Sequence, residues 1–260
     1  MMVDRRGRTH DGAEPADGQL AKRENNPREG ALTPTSEELP EGLEAVLESA
    51  ARLQTLVPDA VLVGGSAAAY YARHRMSTDH DHIVGDLRDR FDAILDALDR
   101  DGDFVLNRST PGKIILGELG GIEAGVRQMI RTRPLEVQRV QLPSGAEVTV
   151  PTLEEIARIK GYLIVKRNQM RDYLDVAALS GRFGVDAIGT VLAMIDDYYT
   201  DPSHARDRPV QAQLARQLAA PAPKDRSRIK GLPTYKGLVP RWQNWDDVTA
   251  ECRALAVRVI

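Results

Sequence analysis

The chain has 260 residues, with 35 Lys and Arg against 38 Asp and Glu, a formal charge of −3, 42% hydrophobic residues and a single cysteine. That balance excludes a whole-surface affinity for phosphate backbones or anionic membranes, so any nucleic-acid contact must be a local patch. One cysteine, Cys252, excludes an internal disulfide framework or a thiolate metal cage and fits a reducing, cytoplasmic setting.

Residues 1–37 carry scattered charge, Gly, Pro and Asn with no aromatic residue or apolar period, and read as a disordered tail without the apolar core of a secretory signal. No apolar run in the chain reaches the roughly 20 residues of a membrane span, so the chain reads as soluble and intracellular. From Pro40 the apolar residues Leu43, Val46, Leu47, Ala50, Leu53 and Leu56 recur at helical spacing, which predicts a helix to about Val57 with Pro40 in its first turn. "AVLV" at 60–63 is a short buried strand closed by Gly64-Gly65, and "SAAAYYARH" follows as a helix capped by Ser66. "HDHIV" returns as a strand, and Leu87 to about Asp99 is an amphipathic helix. "GDFVLN", "GKIILGEL", "GIEAGVRQM" and "LEVQRVQLPSGAEVTV" read as strands joined by glycine-bearing turns. The first lobe is therefore α/β and ends near Val150. Beyond Pro151 the texture is helical, opening on Thr152 and Glu155 at capping-box spacing, with helices over 153–168, 171–181, 185–199, 209–219 and 246–258.

Chemistry concentrates in "GGSAAAYYARHRMSTDHDHIV", residues 64–84. On a strand Asp79 and Asp81 project from the same face, and two bare carboxylates so close repel unless a cation lies between them. Mg²⁺ suits that donor pair, since it prefers oxygen ligands shared with water and substrate phosphate. Upstream, Gly64, Gly65 and Ser66 open a helix and offer backbone N–H groups and a hydroxyl to an anion. Taken singly, the glycine pair is also an ordinary turn and the aspartates a solvated strand edge.

A second stretch lies in the helix over 153–168. Leu153, Ile156, Ala157, Leu163 and Ile164 form one stripe, with Lys160 in its middle and Arg167 continuing it. Cations amid inward aliphatics face a cleft or meet anions, unless their stems lie on the core and their heads snorkel to water.

These residues carry a family resemblance. A Gly-Gly-Ser turn followed about a dozen residues later by Asp-x-Asp resembles the signature of DNA polymerase β-like nucleotidyltransferases. "RMSTDHDH" is similar to the form found in AbiEii/AbiGii-type toxins of type IV toxin–antitoxin systems, with His80 and His82 in place of the usual flanking apolar residues. Lys160, six residues, Arg167, three residues, Arg171-Asp172, two residues and Asp175 resemble the Lys-x6-Arg-x3-(Lys/Arg)-Asp-x2-Asp motif of the same toxins. The resemblance runs from about residue 43 to 180 and finds no counterpart for the last 80 residues.

The resemblance implies a nucleotidyltransferase lobe over 38–150, with a mixed sheet and flanking helices, and a helical lobe over 151–260. It implies transfer of an NMP from an NTP, with Mg²⁺ on Asp79 and Asp81, Lys160 on nucleotide phosphate, and Asp172 or Asp175 completing the site. Asp172 is placed first, since periodicity leaves open which of the two points inward. Gly64, Gly65, Ser66 and Arg167 join Lys160 around the nucleotide. A third metal carboxylate is sought in Glu123, then Glu136, both on strands after the aspartate pair. The implied acceptor is RNA, notably a tRNA 3′ end, and the implied partner an antitoxin. A small-molecule acceptor of the aminoglycoside kind, or a non-catalytic nucleotide-binding regulator, are the alternatives. Arg73 and Arg75 are possible phosphate or RNA contacts, His74, His80 and His82 lack a recognised zinc spacing, and Trp242 and Trp245 read as packing for the last helix more readily than as base stackers beside Lys236 and Arg241.

Overall fold

The computed structural model describes residues 39–40, 42–131, 133–199 and 209–260, all within one compact unit. The stretch 1–37 read as a disordered tail lies outside the described residues. Helix α1, Leu43–Leu56, begins after Gly42 at φ 80°, three residues past Pro40; the Pro40 carbonyl accepts from Leu43 N instead. Strand β1, Val61–Val63, leads into α2, Gly64–Ala72, and β2, Asp79–Val84, precedes α3, Leu87–Arg100. Strands β3, Phe104–Thr110, β4, Ile114–Leu119, and β5, Ile122–Gln128, complete a five-stranded sheet in the order β1-β2-β5-β4-β3. β2 and β5 pair in parallel and the other neighbours antiparallel, so the sheet is mixed, as expected. The parallel pair is closed by a crossover through α3, β3 and β4, which brings residues some forty positions apart side by side.

The two sheet faces have different company. His80 and His82 of β2 join Ala124 and Val126 of β5 on the face covered by α1 and α3, where Leu53, Phe91, Ile94 and Leu98 are buried. Asp79, Asp81 and Gly125 occupy the opposite face, following the two-residue period of the strands. A separate hairpin, β6, Val137–Gln141, with β7, Glu147–Pro151, leads to α4, Leu153–Arg167.

Thr152 caps α4 by accepting from Glu155 N at 3.2 Å. The Glu155 carboxylate does not close the capping box; it is buried and turned to Arg131 and Arg158. The single apolar stripe expected for α4 is also too narrow. Eleven of its residues are buried, including Arg158, Ile159 and Tyr162, because α5, Met170–Phe183, α6, Val185–Ala193, α7, Val210–Ala219, and, to a lesser extent, α2 and β7 enclose it. The predicted helix 185–199 stops at Ala193 and tightens to a 3₁₀ turn at Ile195–Asp197.

Helix α8, Trp245–Val259, packs on α5, α6 and α7, with Trp242 buried and Trp245 edge-on to Tyr173. The tryptophans thus pack rather than stand free. The irregular stretch before α8 clasps the chain between α2 and β2. Lys236 O accepts from Met76 N at 3.1 Å and His74 O from Val239 N at 2.9 Å, which fixes the backbone on either side of Arg75. One hydrophobic core runs from Leu43 to Val259 and takes in α2, α4, α5 and α8. Among the described residues no helix is long and apolar enough to cross a membrane.

Candidate active site

β2 sets the first half of the site. Its alternation leaves Asp79 and Asp81 half-buried on one face and buries His80 and His82 on the other. The histidines replace apolar residues by satisfying part of their polarity locally: His80 Nε2 lies 3.0 Å from Ser49 Oγ, and the two Nδ1 atoms lie 3.5 Å apart. Burial pushes His80 down to about 4 against an opposing pull from Asp79, and holds His82 well below its ordinary value, so both are neutral core residues at neutral pH.

Ser77 Oγ donates to Asp79 Oδ1 at 3.1 Å, and Arg127 Nε donates to Asp81 Oδ1 at 3.1 Å. Two glycines make the space. Gly125 lies opposite Asp81 on β5, and a Cβ there would stand 2.6 Å from Asp81 Oδ1. Gly64, at φ +76°, turns the chain straight from β1 into α2; a Cβ there would meet Asp81 Oδ2 at 3.4 Å. Because α2 begins at Gly64, Ser66 falls inside the helix instead of capping it. Fully buried, it donates to the Asp79 carbonyl, and it does not line the cleft, contrary to the phosphate-binding expectation.

α4 and α5 set the second half. Lys160, 2% exposed, places Nζ 2.7 Å from Asp175 Oδ2. Asp175 is fully buried and also accepts from Arg75 Nε at 3.1 Å and Nη2 at 3.4 Å and from His74 Nε2 at 2.8 Å. Burial alone would raise the Asp175 carboxyl, but Arg75, Lys160 and His74 outweigh it and hold it well below the usual carboxylate range. His74 goes down because it is buried, despite its bond to Asp175; being neutral, it must donate from Nε2. Asp172 is buried one turn away and takes both arms of Arg167, at 2.7 and 2.6 Å.

Asp79, Asp81, Gly64, Gly65, Arg75, Lys160, Arg167, Arg171 and Asp175 open onto one cleft of about 330 Å³. Asp175 lines it and Asp172 does not, which reverses the order expected from the sequence. Six cationic side chains, Arg75, Arg127, Arg131, Lys160, Arg167 and Arg171, face three carboxylates there, so the cleft is locally positive in a chain of net charge −3. Its far wall is apolar, built from Ile83, Met129, Leu135, Ile159 and Leu163 beside the stacked rings of Tyr162 and Tyr199, 4.2 Å apart.

Neither sought third carboxylate is brought in. Glu123 pairs in register with Asp79 but is exposed outside the cleft, and Glu136 is held by Arg158 and Tyr198. Among the described residues no cluster of three or more His, Cys, Asp or Glu is grouped as a metal cage. Sequence reasoning misses Gly125 and Arg127, whose places depend on β5 lying beside β2, and Arg131, which is held by Glu155 of α4. It undervalues Arg75, whose signal is Gly65, where a Cβ would stand 2.5 Å from Arg75 Nη2.

Comparisons with known proteins extend the picture. Residues 45–248 match the model of the family described as "Nucleotidyl transferase AbiEii toxin, Type IV TA system", which carries the likeness well past residue 180 and into α8. MmpL11 of Mycolicibacterium smegmatis, described as a mycolic acid-containing lipids exporter, is 29% identical over 233 residues, covering 84% of this chain and 22% of that protein. MmpL11 of Mycobacterium tuberculosis, described as a heme uptake protein, is 32% identical over 148 residues, covering 55% of this chain and 14% of that protein. The chain thus spans about a fifth or less of the length of these curated relatives. Among solved structures, the nucleotidyltransferase toxin MenT4 of Mycobacterium tuberculosis is similar with a TM-score of 0.48 and 17% identity, covering 84% of this chain and 82% of that one. JHP933 of Helicobacter pylori is similar with a TM-score of 0.48 and 14% identity, covering 85% and 93% of the two chains.

Proposed function

The chain belongs to the AbiEii family of type IV nucleotidyl transferase toxins, and on that footing we propose that it moves an NMP from an NTP onto RNA, at a tRNA 3′ end, in a Mg²⁺-dependent reaction opposed by a cognate antitoxin. The observation that carries this reading is that Asp79 and Asp81, and the Lys160–Asp175 pair some eighty residues on, line the same cleft. The reading gives residues 38–150 to a nucleotidyltransferase domain and 151–260 to a helical domain that contributes Lys160 and Asp175.

The donor set fits a hard divalent cation: two carboxylates on one strand face, with Gly125 leaving room at Asp81 Oδ1. Asp79 and Asp81 would hold the ion, which when bound neutralises charge on the attacking and leaving oxygens. The remaining work falls to the chain. The N-terminus of α2 at Gly64-Gly65 presents backbone N–H groups to phosphate. Lys160, fixed by Asp175, supplies an ammonium for charge developing on the leaving pyrophosphate, and Asp175 stays ionised to hold it. Arg167 and Arg171 extend the positive lining at the rim, and the apolar wall with Tyr162 and Tyr199 suits the base. A locally positive cleft favours a polyanionic acceptor.

The test is incubation of the protein with each labelled NTP, Mg²⁺ and either total tRNA or aminoglycosides. Label on RNA is the expected outcome. Label on the drug would make it a small-molecule transferase, and bound NTP with no transfer would make it a regulator.

A further inference from the structure

Five arginines line the cleft, and they are held very differently. Arg75 is buried on Asp175, Arg167 grips Asp172 with two hydrogen bonds, and Arg131 is anchored to Glu155 at 2.8 Å with its side chain 6% exposed. Arg171 has no ion-pair partner among the described residues. Arg127 differs from all of these. It lies on β5 two residues past Gly125, on the cleft side of the sheet, and the only hydrogen bond of its side chain among the described residues runs from Nε to Asp81 Oδ1, at 3.1 Å. The pair is partly open to water, with side chains 45% and 30% exposed. An ion pair so exposed is weak and readily exchanged, and Arg127 retains four further N–H donors.

Asp81 is also one of the two carboxylates assigned to the cation. A guanidinium on Oδ1 and a divalent ion on the same carboxylate repel each other at close range, so the arrival of the ion weakens the Arg127–Asp81 pair. Arg127, on a flexible side chain, lines the same cleft as Lys160, Arg167 and Arg171, where a nucleotide phosphate would offer it another anion.

We infer that Arg127 is an exchangeable counter-ion: it neutralises Asp81 until a divalent cation takes that carboxylate, and then turns its guanidinium to a phosphate of the incoming nucleotide. The inference rests on the proposed Asp79–Asp81 clamp. It makes metal and nucleotide loading cooperative, because each occupant removes an obstacle to the other.

The test uses Mn²⁺ as probe, followed by electron paramagnetic resonance and calorimetry on the full chain at low ionic strength. Arg127→Gln should bind Mn²⁺ alone about tenfold more tightly, since a positive charge beside the site is gone. At saturating Mn²⁺ the same variant should bind the α,β-methylene NTPs about tenfold more weakly, since a phosphate contact is lost. Arg127→Lys should lie between wild type and Arg127→Gln in both measurements. Opposite signs for the two ligands are the signature, because a merely damaged site weakens both. Equal or weaker Mn²⁺ binding by Arg127→Gln overturns the role of Arg127 alone. Mn²⁺ binding by wild type that Asp81→Asn leaves intact overturns the clamp, and the inference with it.

Discussion

The Lys160 ammonium and the Asp175 carboxylate meet at 2.7 Å with their side chains 2% and 0% exposed, joining α4 to α5 beneath the cleft. Asp175 is the hub of this arrangement, since Arg75 and His74 also donate to it. Asp175→Asn would leave Lys160 and Arg75 buried with no carboxylate between them, whereas Lys160→Met leaves Asp175 still paired with Arg75. Breaking a buried pair by removing one partner costs about 3–5 kcal/mol. Asp175→Asn is expected at that level and Lys160→Met clearly below it, in urea unfolding followed by circular dichroism. Turnover should fall by about 10²-fold or more in Lys160→Met even where it is fully folded, the size of effect seen when a preorganised charge facing the transition state is removed. Equal destabilisation by the two variants would remove Asp175 from its place as hub.

Acid should unfold this site in two stages. His74 is held below its ordinary 6.5 by burial, so below about pH 6.5 the unfolded chain takes a proton that the folded chain refuses, and stability falls as pH drops through that window. His80 and His82, buried and also lowered, act in the same sense. Asp175 is held well below 3.8, so its contribution is present above that value and is lost only as pH falls further. Urea midpoints measured from pH 7.5 to 5.5 should therefore decline, and His74→Asn should start lower but decline less steeply. A flat profile in the wild type would show that the buried histidines titrate normally.

Two glycines report on the cleft through the space that their missing side chains leave. Gly125→Ala places a methyl 2.6 Å from Asp81 Oδ1, and Gly65→Ala places one 2.5 Å from Arg75 Nη2. In each case the obstructing atom belongs to a side chain that can swing aside, so folding should survive with about 1–2 kcal/mol lost. The displaced group is what matters: Asp81 leaves the proposed cation clamp in one variant, and Arg75 leaves Asp175 in the other. Gly125→Ala should weaken Mn²⁺ binding sharply, whereas Gly65→Ala should spare the metal and depress turnover. Unchanged metal affinity in Gly125→Ala would mean that Asp81 tolerates the shift or does not hold the ion.

That Asp79 and Asp81 share a face needs only the period of a strand, and that Lys160 points inward needs only a charge amid helical apolar spacing; both are local and legible in the sequence. Gly125 and Arg127 become meaningful only once β5 lies parallel to β2, a pairing across a crossover of some forty residues that no local pattern encodes. The order of Asp172 and Asp175 is hidden for a related reason, since both are fully buried and Asp175 is singled out by its contacts with Lys160 and with Arg75 and His74, a hundred residues earlier. The clasp of 236–239 on 74–76 lies in irregular chain, where periodicity says nothing.

Ser66 shows what a shift of three residues in the helix cap does. Read as the cap of α2, its hydroxyl belongs to an anion in the cleft; with α2 starting at Gly64, the same hydroxyl points back and donates to the Asp79 carbonyl. The consequence is a division of roles. Gly64 and Gly65 line the cleft, while Ser66 fixes the start of β2 behind the first aspartate. Ser66→Ala should therefore lose about 1 kcal/mol of stability, the usual net worth of one hydrogen bond, while NTP affinity stays within about twofold of wild type. Ser66→Val adds bulk at a fully buried position and should cost more, again with its effect on stability exceeding any effect on nucleotide binding. Calorimetric titration of the NTP beside a urea series on the same preparations separates the two. A tenfold loss of NTP affinity in a fully stable Ser66→Ala protein would return the hydroxyl to the phosphate site and move the start of α2 with it.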